Sequence, residues 1–192
     1  MSEKPIKMQP VSRAKEKLDY AIKEFNLNLK NKVCADFGSS TGGFVQATLE
    51  QNPKTIYSVE TSKNRLHFVL KDSPKVIVLD QTNAVHVTLP EKVDFISIDV
   101  GWTKQSLIIP NAIKNLKDNG IILTLVKPHY EAGKSLADAS DKEIETTLEK
   151  VRKEIFPYIK ITKETESPIR GLKAGNREFL WLCEKKNKNK SR

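Results

Sequence analysis

At 192 residues, with 38% hydrophobic and 30% charged residues, the chain is long enough for one domain with a sizeable core. Its net charge is +9; the last eight residues hold five basic groups and no acid, leaving +4 on the rest. No apolar run nears the ~18 residues of a membrane span, and two cysteines make no disulfide scaffold, so membrane and disulfide-rich classes are excluded. No membrane partner, no metal and a cytoplasmic location are expected, since the three histidines show no ligand spacing with cysteine or acid.

In chain order, residues 1–11 carry two prolines and read as a flexible segment. Ser12 is placed to cap a helix with apolar positions Ala14, Leu18, Ile22 and Phe25. A strand over 32–37, a helix over 41–51, a strand over 55–60, a short helix over 63–70 and a strand over 76–80 follow. Then come a strand over 93–100, a helix over 106–116 stopped by Asp118-Asn119-Gly120, and a continuous apolar run, Ile121–Val126, suited to a central strand. A mobile loop over 132–140, an amphipathic helix over 141–156 and strands over 158–162 and 179–183 complete the pattern. Strands alternating with helices predict an α/β fold around a mostly parallel seven-stranded sheet, with helices on both faces and an antiparallel hairpin at one edge. One domain is expected over 12–184, followed by a basic disordered tail over 185–192. That tail reads either as a solubilising terminus or as a tether for RNA phosphates.

The stretch Asp36-Phe37-Gly38-Ser39-Ser40-Thr41-Gly42-Gly43-Phe44 joins the first strand to a helix through a glycine-rich turn. Such a turn brings backbone N–H groups close to a ligand. Its spacing is D-x-G-x-x-x-G-G rather than G-x-G-x-x-G, which suits S-adenosylmethionine (SAM) better than a dinucleotide. Four predicted strands end in acids, Asp36, Glu60, Asp80 and Asp99, at the edge where open α/β sheets bind ligands. Glu60 lies where an acid meets ribose hydroxyls, and Asp80 with Gln81 and Thr82 is placed to bond an adenine edge. Taken singly, each acid reads first as a solvated strand end or helix cap; four in register point to a ligand.

The chain resembles the FtsJ-like RNA 2′-O-methyltransferases, nearest to their TlyA (haemolysin A-like) branch. Besides the glycine-rich loop, the resemblance rests on Ser12-Arg13-Ala14-x-x-Lys17-Leu18, Thr82-Asn83-Ala84, Ile98-Asp99-Val100, Leu125-Val126-Lys127-Pro128, Tyr130-Glu131-Ala132-Gly133, Ser167-Pro168-Ile169 and Gly175-Asn176-x-Glu178-Phe179-Leu180, in that order. It implies a Rossmann-like SAM-dependent methyltransferase fold and a catalytic Lys-Asp-Lys-Glu tetrad at Lys17, Asp99, Lys127 and Glu178. Lys127 is then the base, with Lys17 and a bound sulfonium lowering its pKa by like-charge repulsion. Taken one at a time, Lys17 is also a solvated helix lysine, Asp99 and Lys127 a plain salt bridge, and Glu178 a partner for Arg177 or Lys173.

The resemblance further implies RNA, and ribosomal RNA or a ribosomal subunit in particular, as the partner. Arg13, Lys15, Trp102, Lys104 and Arg170 are the expected RNA contacts, Trp102 either stacking on an unpaired base or covering the cofactor. The branch usually carries an N-terminal S4 domain, which these 192 residues have no room for. Gly101-Trp102 also stands where Ser-Phe is usual. These departures keep a second reading open, a non-catalytic RNA-binding protein on the same fold.

Overall fold

The computed structural model describes residues 9–171 and 175–186; the expected flexible start lies almost wholly outside them, as do residues 187–192 of the expected tail. Its elements are α1 (Ala14–Phe25), β1 (Val33–Phe37), α2 (Gly43–Leu49), β2 (Thr55–Val59), α3 (Phe68–Lys71), β3 (Val76–Leu79), β4 (Val93–Ile98), α4 (Gln105–Asn115), β5 (Leu116–Val126), α5 (Pro128–Ala132), α6 (Asp141–Ile155), β6 (Ile159–Glu166) and β7 (Phe179–Lys185). The strands form one sheet in the order β3-β2-β1-β4-β5-β7-β6. Pairs from β3 through β5 are parallel, and β7 runs antiparallel to both β5 and β6. The sheet is thus the mostly parallel, seven-stranded one predicted, with β6 and β7 as the antiparallel edge hairpin. β6 is the edge strand itself, and β7 threads between it and β5.

Side-chain alternation divides the core in two. Val33, Ala35 and Phe37 of β1 face a layer that holds Ile108, Ile109 and Ala112 of α4 with Ile144, Leu148, Val151 and Ile155 of α6. Cys34 faces the other layer, with Leu18 and Phe25 of α1 and Phe44 and Val45 of α2. β5 splits likewise, Ile122 and Val126 to the first layer and Leu123 and Leu125 to the second. Both cysteines are free and buried, and burial pushes the Cys34 thiol up to about 12, which keeps it unreactive.

Local differences from the sequence reading have identifiable causes. Arg13, not Ser12, precedes α1 as its cap residue, and no side chain caps that end. The helix expected over 63–70 shrinks to Phe68–Lys71. Side chains take over the backbone before it: Glu60 accepts from the Ser62 N–H at 2.9 Å, Asp80 from the Asn64 N–H at 2.8 Å, and Asn64 turns left-handed at φ 56°. Asp118-Asn119-Gly120 does not end α4; it lies in a register break, where Val93 pairs Leu116 and Phe95 already pairs Ile121. The loop before α6 is tied down, the buried Leu136 donating its N–H to Asn176 Oδ1 at 2.7 Å. Lys185 belongs to β7, and the Lys186 N–H bonds the Tyr158 carbonyl, so the ordered chain runs past the expected start of the tail.

Candidate active site

Sheet order reverses between β1 and β4, and beyond their carboxyl ends opens a cleft of about 520 Å³. The β1–α2 turn forms its floor. Gly38 sits at φ 89° with the Asp99 carbonyl so close that a Cβ would lie 2.6 Å from its oxygen, so only glycine fits. Gly42, at φ 99°, is packed by Leu66 and Leu70, and Gly43 by Ser12 and the Lys15 backbone. Ser39, Ser40, Thr41 and Phe44 line the cleft with Gly38 and Gly43; Gly42 does not, serving the turn from behind.

The strand-end acids divide. Asp36, Glu60 and Asp99 reach the cleft. Glu60 Oε2 accepts from the Ser40 N–H at 2.9 Å and Oε1 from the Ser62 N–H at 2.9 Å. Burial pushes the Glu60 carboxyl up, yet these backbone donors outweigh it and hold it below its usual value, as an anion. Asp36 is 1% exposed. Its Oδ1 accepts from Ser97 Oγ at 2.7 Å, while Oδ2 is buried with no partner. Burial raises the Asp36 carboxyl to about 7 against that bond, with Asp99 and Glu60 adding to the rise. Asp80 and Gln81 are not among the lining residues: Asp80 Oδ2 accepts from Asn64 and Gln81 is exposed. Thr82 does line the cleft, followed by Asn83, Ala84 and Val85.

All four residues of the expected tetrad line one cleft, brought from α1, the end of β4, the end of β5 and the start of β7. They form two ion pairs, Lys17–Glu178 and Lys127–Asp99, each with N···O of 2.5 Å. Lys17 and Glu178 are almost fully buried, with side-chain exposures of 7% and 4%. Lys127 also donates to the Val100 carbonyl at 3.2 Å. Burial pulls the Lys127 ammonium down, but Asp99, with Glu178 and Tyr130 adding, outweighs it and holds it above the ordinary lysine value. The expected repulsion from Lys17 is therefore muted, because Glu178 neutralises that lysine. His129, next in the chain but one, is pushed down by burial and by the Lys127 and Lys17 charges.

The expected RNA contacts scatter more. Arg13 lines the cleft and donates to the Arg170 carbonyl at 2.7 Å, so both stand together on its rim. Trp102 is 77% exposed and held left-handed at φ 57°, its ring stacked on Tyr130 at 4.6 Å between centroids. Lys104 is exposed at the start of α4. Lys15 is not brought to the cleft; it is buried against α2, bonded to Asp19 at 2.6 Å and Glu50 at 2.9 Å. Sequence reasoning gave no site role to several further lining residues, of which six are Ser12, Asn83, Val85, Val100, Tyr130 and Gly171. All but Val85 and Gly171 fall in the quoted family motifs, which was the available signal. Among the described residues no cluster of potential metal ligands occurs and no helix is long and apolar enough to cross a membrane.

A family model described as FtsJ-like methyltransferase matches residues 10–182. The chain is 33% identical over 182 residues to "Hemolysin A" of Brachyspira hyodysenteriae, a match spanning 88% of this chain and 75% of that one. It is 39% identical over 127 residues to the 23S rRNA (cytidine-2′-O)-methyltransferase TlyA of Campylobacter jejuni, across 66% of this chain and 49% of the relative. The chain thus spans about half the length of that methyltransferase. Among solved structures, a hemolysin-type protein from Lactococcus lactis superposes with a TM-score of 0.85 at 34% identity, covering 94% of this chain and 90% of the other.

Proposed function

This chain belongs to the FtsJ-like methyltransferase family, and we propose that it methylates a ribose 2′-hydroxyl of ribosomal RNA, with SAM as the methyl donor. The observation that carries the reading is the two ion pairs, Lys17–Glu178 buried and Lys127–Asp99 partly buried, facing the same cleft as the glycine-rich loop. A binding role alone does not call for one ion pair out of water beside another partly so, because burying an ion pair is costly. The relatives named as rRNA (cytidine-2′-O)-methyltransferases support the substrate class.

The cleft fits SAM. Gly38 lets the turn close tightly against the Asp99 backbone at the cleft floor, and the orphaned Asp36 Oδ2 offers an acceptor whose ionised form a cationic group would favour. Glu60, fixed as an anion by its own backbone donors, is suited to a vicinal diol, and Asn83 and Ala84 complete the wall. When bound, SAM supplies an electrophilic methyl group.

The protein's own part is positioning and proton handling. Asp99 orients Lys127 Nζ at the cleft surface, and Glu178 holds Lys17 beside it. In the ligand-free state Lys127 keeps its proton. Positive charge arriving near Asp36 and Asp99 weakens that hold, the direction needed for Lys127 to accept the ribose proton. The exposed Trp102, stacked on Tyr130 at the mouth, offers a platform for the target base, and Arg13, Lys104 and Arg170 stand where phosphates would pass. RNA, as ribosomal RNA or a ribosomal subunit, is the proposed partner.

The test is methyl transfer from labelled SAM to ribosomal RNA and to ribosomal subunits, with nucleoside mass analysis of the product. A 2′-O-methylated nucleoside is expected. Cofactor binding with no transfer to any RNA, naked or assembled, would overturn the catalytic reading in favour of a non-catalytic RNA-binding protein.

A further inference from the structure

The first four strands share a pattern at their other ends. Lys32 immediately precedes β1, Lys54 precedes β2, Lys75 precedes β3 and Lys92 precedes β4. These strands are neighbours in the order β3-β2-β1-β4, so the four lysines stand side by side along the amino edge of the sheet. The register is close: the Lys54 N–H bonds the Lys32 carbonyl at 2.8 Å, and the Ile56 N–H bonds the Lys75 carbonyl at 2.8 Å. With strands about 4.8 Å apart, the row spans roughly 15 Å.

Lys32, Lys54 and Lys92 are exposed, and Lys75, half-buried, bonds the neutral Asn52 amide. None of the four makes an ion pair among the described residues, whereas the next lysines along the edge do, Lys117 with Asp94 and Lys185 with Asp118. β7 ends on this same edge at Lys185, and the sequence continues from there with Lys188, Lys190 and Arg192. The acids of this edge, Asp94 and Asp118, are taken by Lys117 and Lys185, while Asp36, Glu60 and Asp99 at the opposite ends of the same strands line the cleft. The cleft sets four carboxylates against Arg13, Lys17 and Lys127, so it offers a polyanion little net positive charge, and phosphates beyond the reach of Arg13, Lys104 and Arg170 need another surface. Lysines near helix C-termini also offset helix dipoles, which accounts for a lysine taken singly but does not require four in register without an acid partner.

We propose that this lysine row is a second contact surface for the phosphate backbone of a folded RNA, engaged on the edge opposite the catalytic cleft. The inference rests on RNA being the substrate of the cleft. The length of β1, five residues at about 3.3 Å each, separates the two edges by some 17 Å. A short strand filling the cleft does not reach the row, but a second helix of a folded RNA does.

The test is binding of full-length ribosomal RNA across salt concentrations, compared between wild type and a Lys32→Gln/Lys54→Gln/Lys92→Gln variant. Each phosphate contact contributes about 0.7–0.9 to the slope of log K against log salt, so the row variant is expected to lose about 2–3 from that slope. Its SAM affinity and its binding of a short oligonucleotide carrying only the target should stay unchanged. A charge-matched Lys142→Gln/Lys150→Gln/Lys153→Gln variant on exposed positions of α6 should keep the wild-type slope. An unchanged slope in the row variant, an equal loss in the α6 variant, or a loss seen only with anionic lipid vesicles would overturn the inference. Methyl transfer by the wild type, measured on the same RNA, separates the two claims: a row-dependent slope without transfer sinks the catalytic reading alone, and transfer without a row-dependent slope sinks this inference alone.

Discussion

Asp36 ties fold stability to cofactor binding in opposite directions, and Asp36→Asn separates them. The carboxyl is 1% exposed, keeps one bond from Ser97 and leaves Oδ2 without a partner, with its pKa raised from 3.8 to about 7. The native state therefore binds this proton more tightly than the unfolded chain, and the contribution to stability falls as pH rises from about 4 through about 7. A rise of about three units corresponds to roughly 4 kcal/mol of destabilisation at pH 8. Asn at this position keeps the acceptor for Ser97 and removes the buried charge, but leaves an amide N–H₂ facing the cleft at a cost of about 1–3 kcal/mol. Ligand-free Asp36→Asn is thus expected to be as stable as wild type or up to about 3 kcal/mol more stable at pH 8, and to lose that advantage by pH 5. Its SAM affinity should fall at least tenfold at pH 8, while wild-type affinity rises between pH 6 and 8 as Asp36 ionises. Chemical denaturation at the two pH values and calorimetric titration of SAM provide the readings. A variant less stable than wild type at pH 8 with unchanged SAM affinity would refute the reasoning.

Gly38→Ala forces a Cβ to 2.6 Å from the Asp99 carbonyl oxygen at φ 89°, and should cost on the order of 2 kcal/mol in stability while abolishing measurable SAM binding in the same titration. Glu178→Gln leaves the buried Lys17 ammonium without its counter-charge and should lower stability by about 3–5 kcal/mol in denaturant melts, most of it restored by adding Lys17→Met. Lys15→Gln should leave the salt slope of RNA binding unchanged, because Lys15 is spent on Asp19 and Glu50; a slope reduced by about one would show that it does reach a phosphate.

The sheet was legible because its signals are local. Val33–Phe37 and Ile121–Val126 are largely apolar runs of strand length, and the acids at the carboxyl ends of three parallel strands, Asp36, Glu60 and Asp99, do reach the ligand edge. What was not legible depends on how elements pack. Lys15 and Lys17 are two residues apart on one helix and therefore face different ways: Lys17 meets Glu178 across the cleft, while Lys15 meets α2. The α1–α2 packing at Gly43 goes with which of the two lines the cleft, Lys17 and not Lys15. Asp80 follows the same strand-end rule as Glu60, yet the turn at Asn64 occupies one of its oxygens, a competition that strand spacing does not reveal. The pairing within the tetrad was equally hidden, since Lys17 and Glu178 lie 161 residues apart and only β7's insertion beside β5 brings Glu178 to the cleft.

The central claim is that Lys127 does the chemistry rather than the holding. The direct measurement is single-turnover methyl transfer by Lys127→Met, with SAM and RNA affinities measured on the same preparation. The account predicts transfer reduced by at least a hundredfold, with both affinities within about threefold of wild type. Transfer at the wild-type rate would contradict it, and so would a loss explained wholly by weakened binding of SAM or RNA.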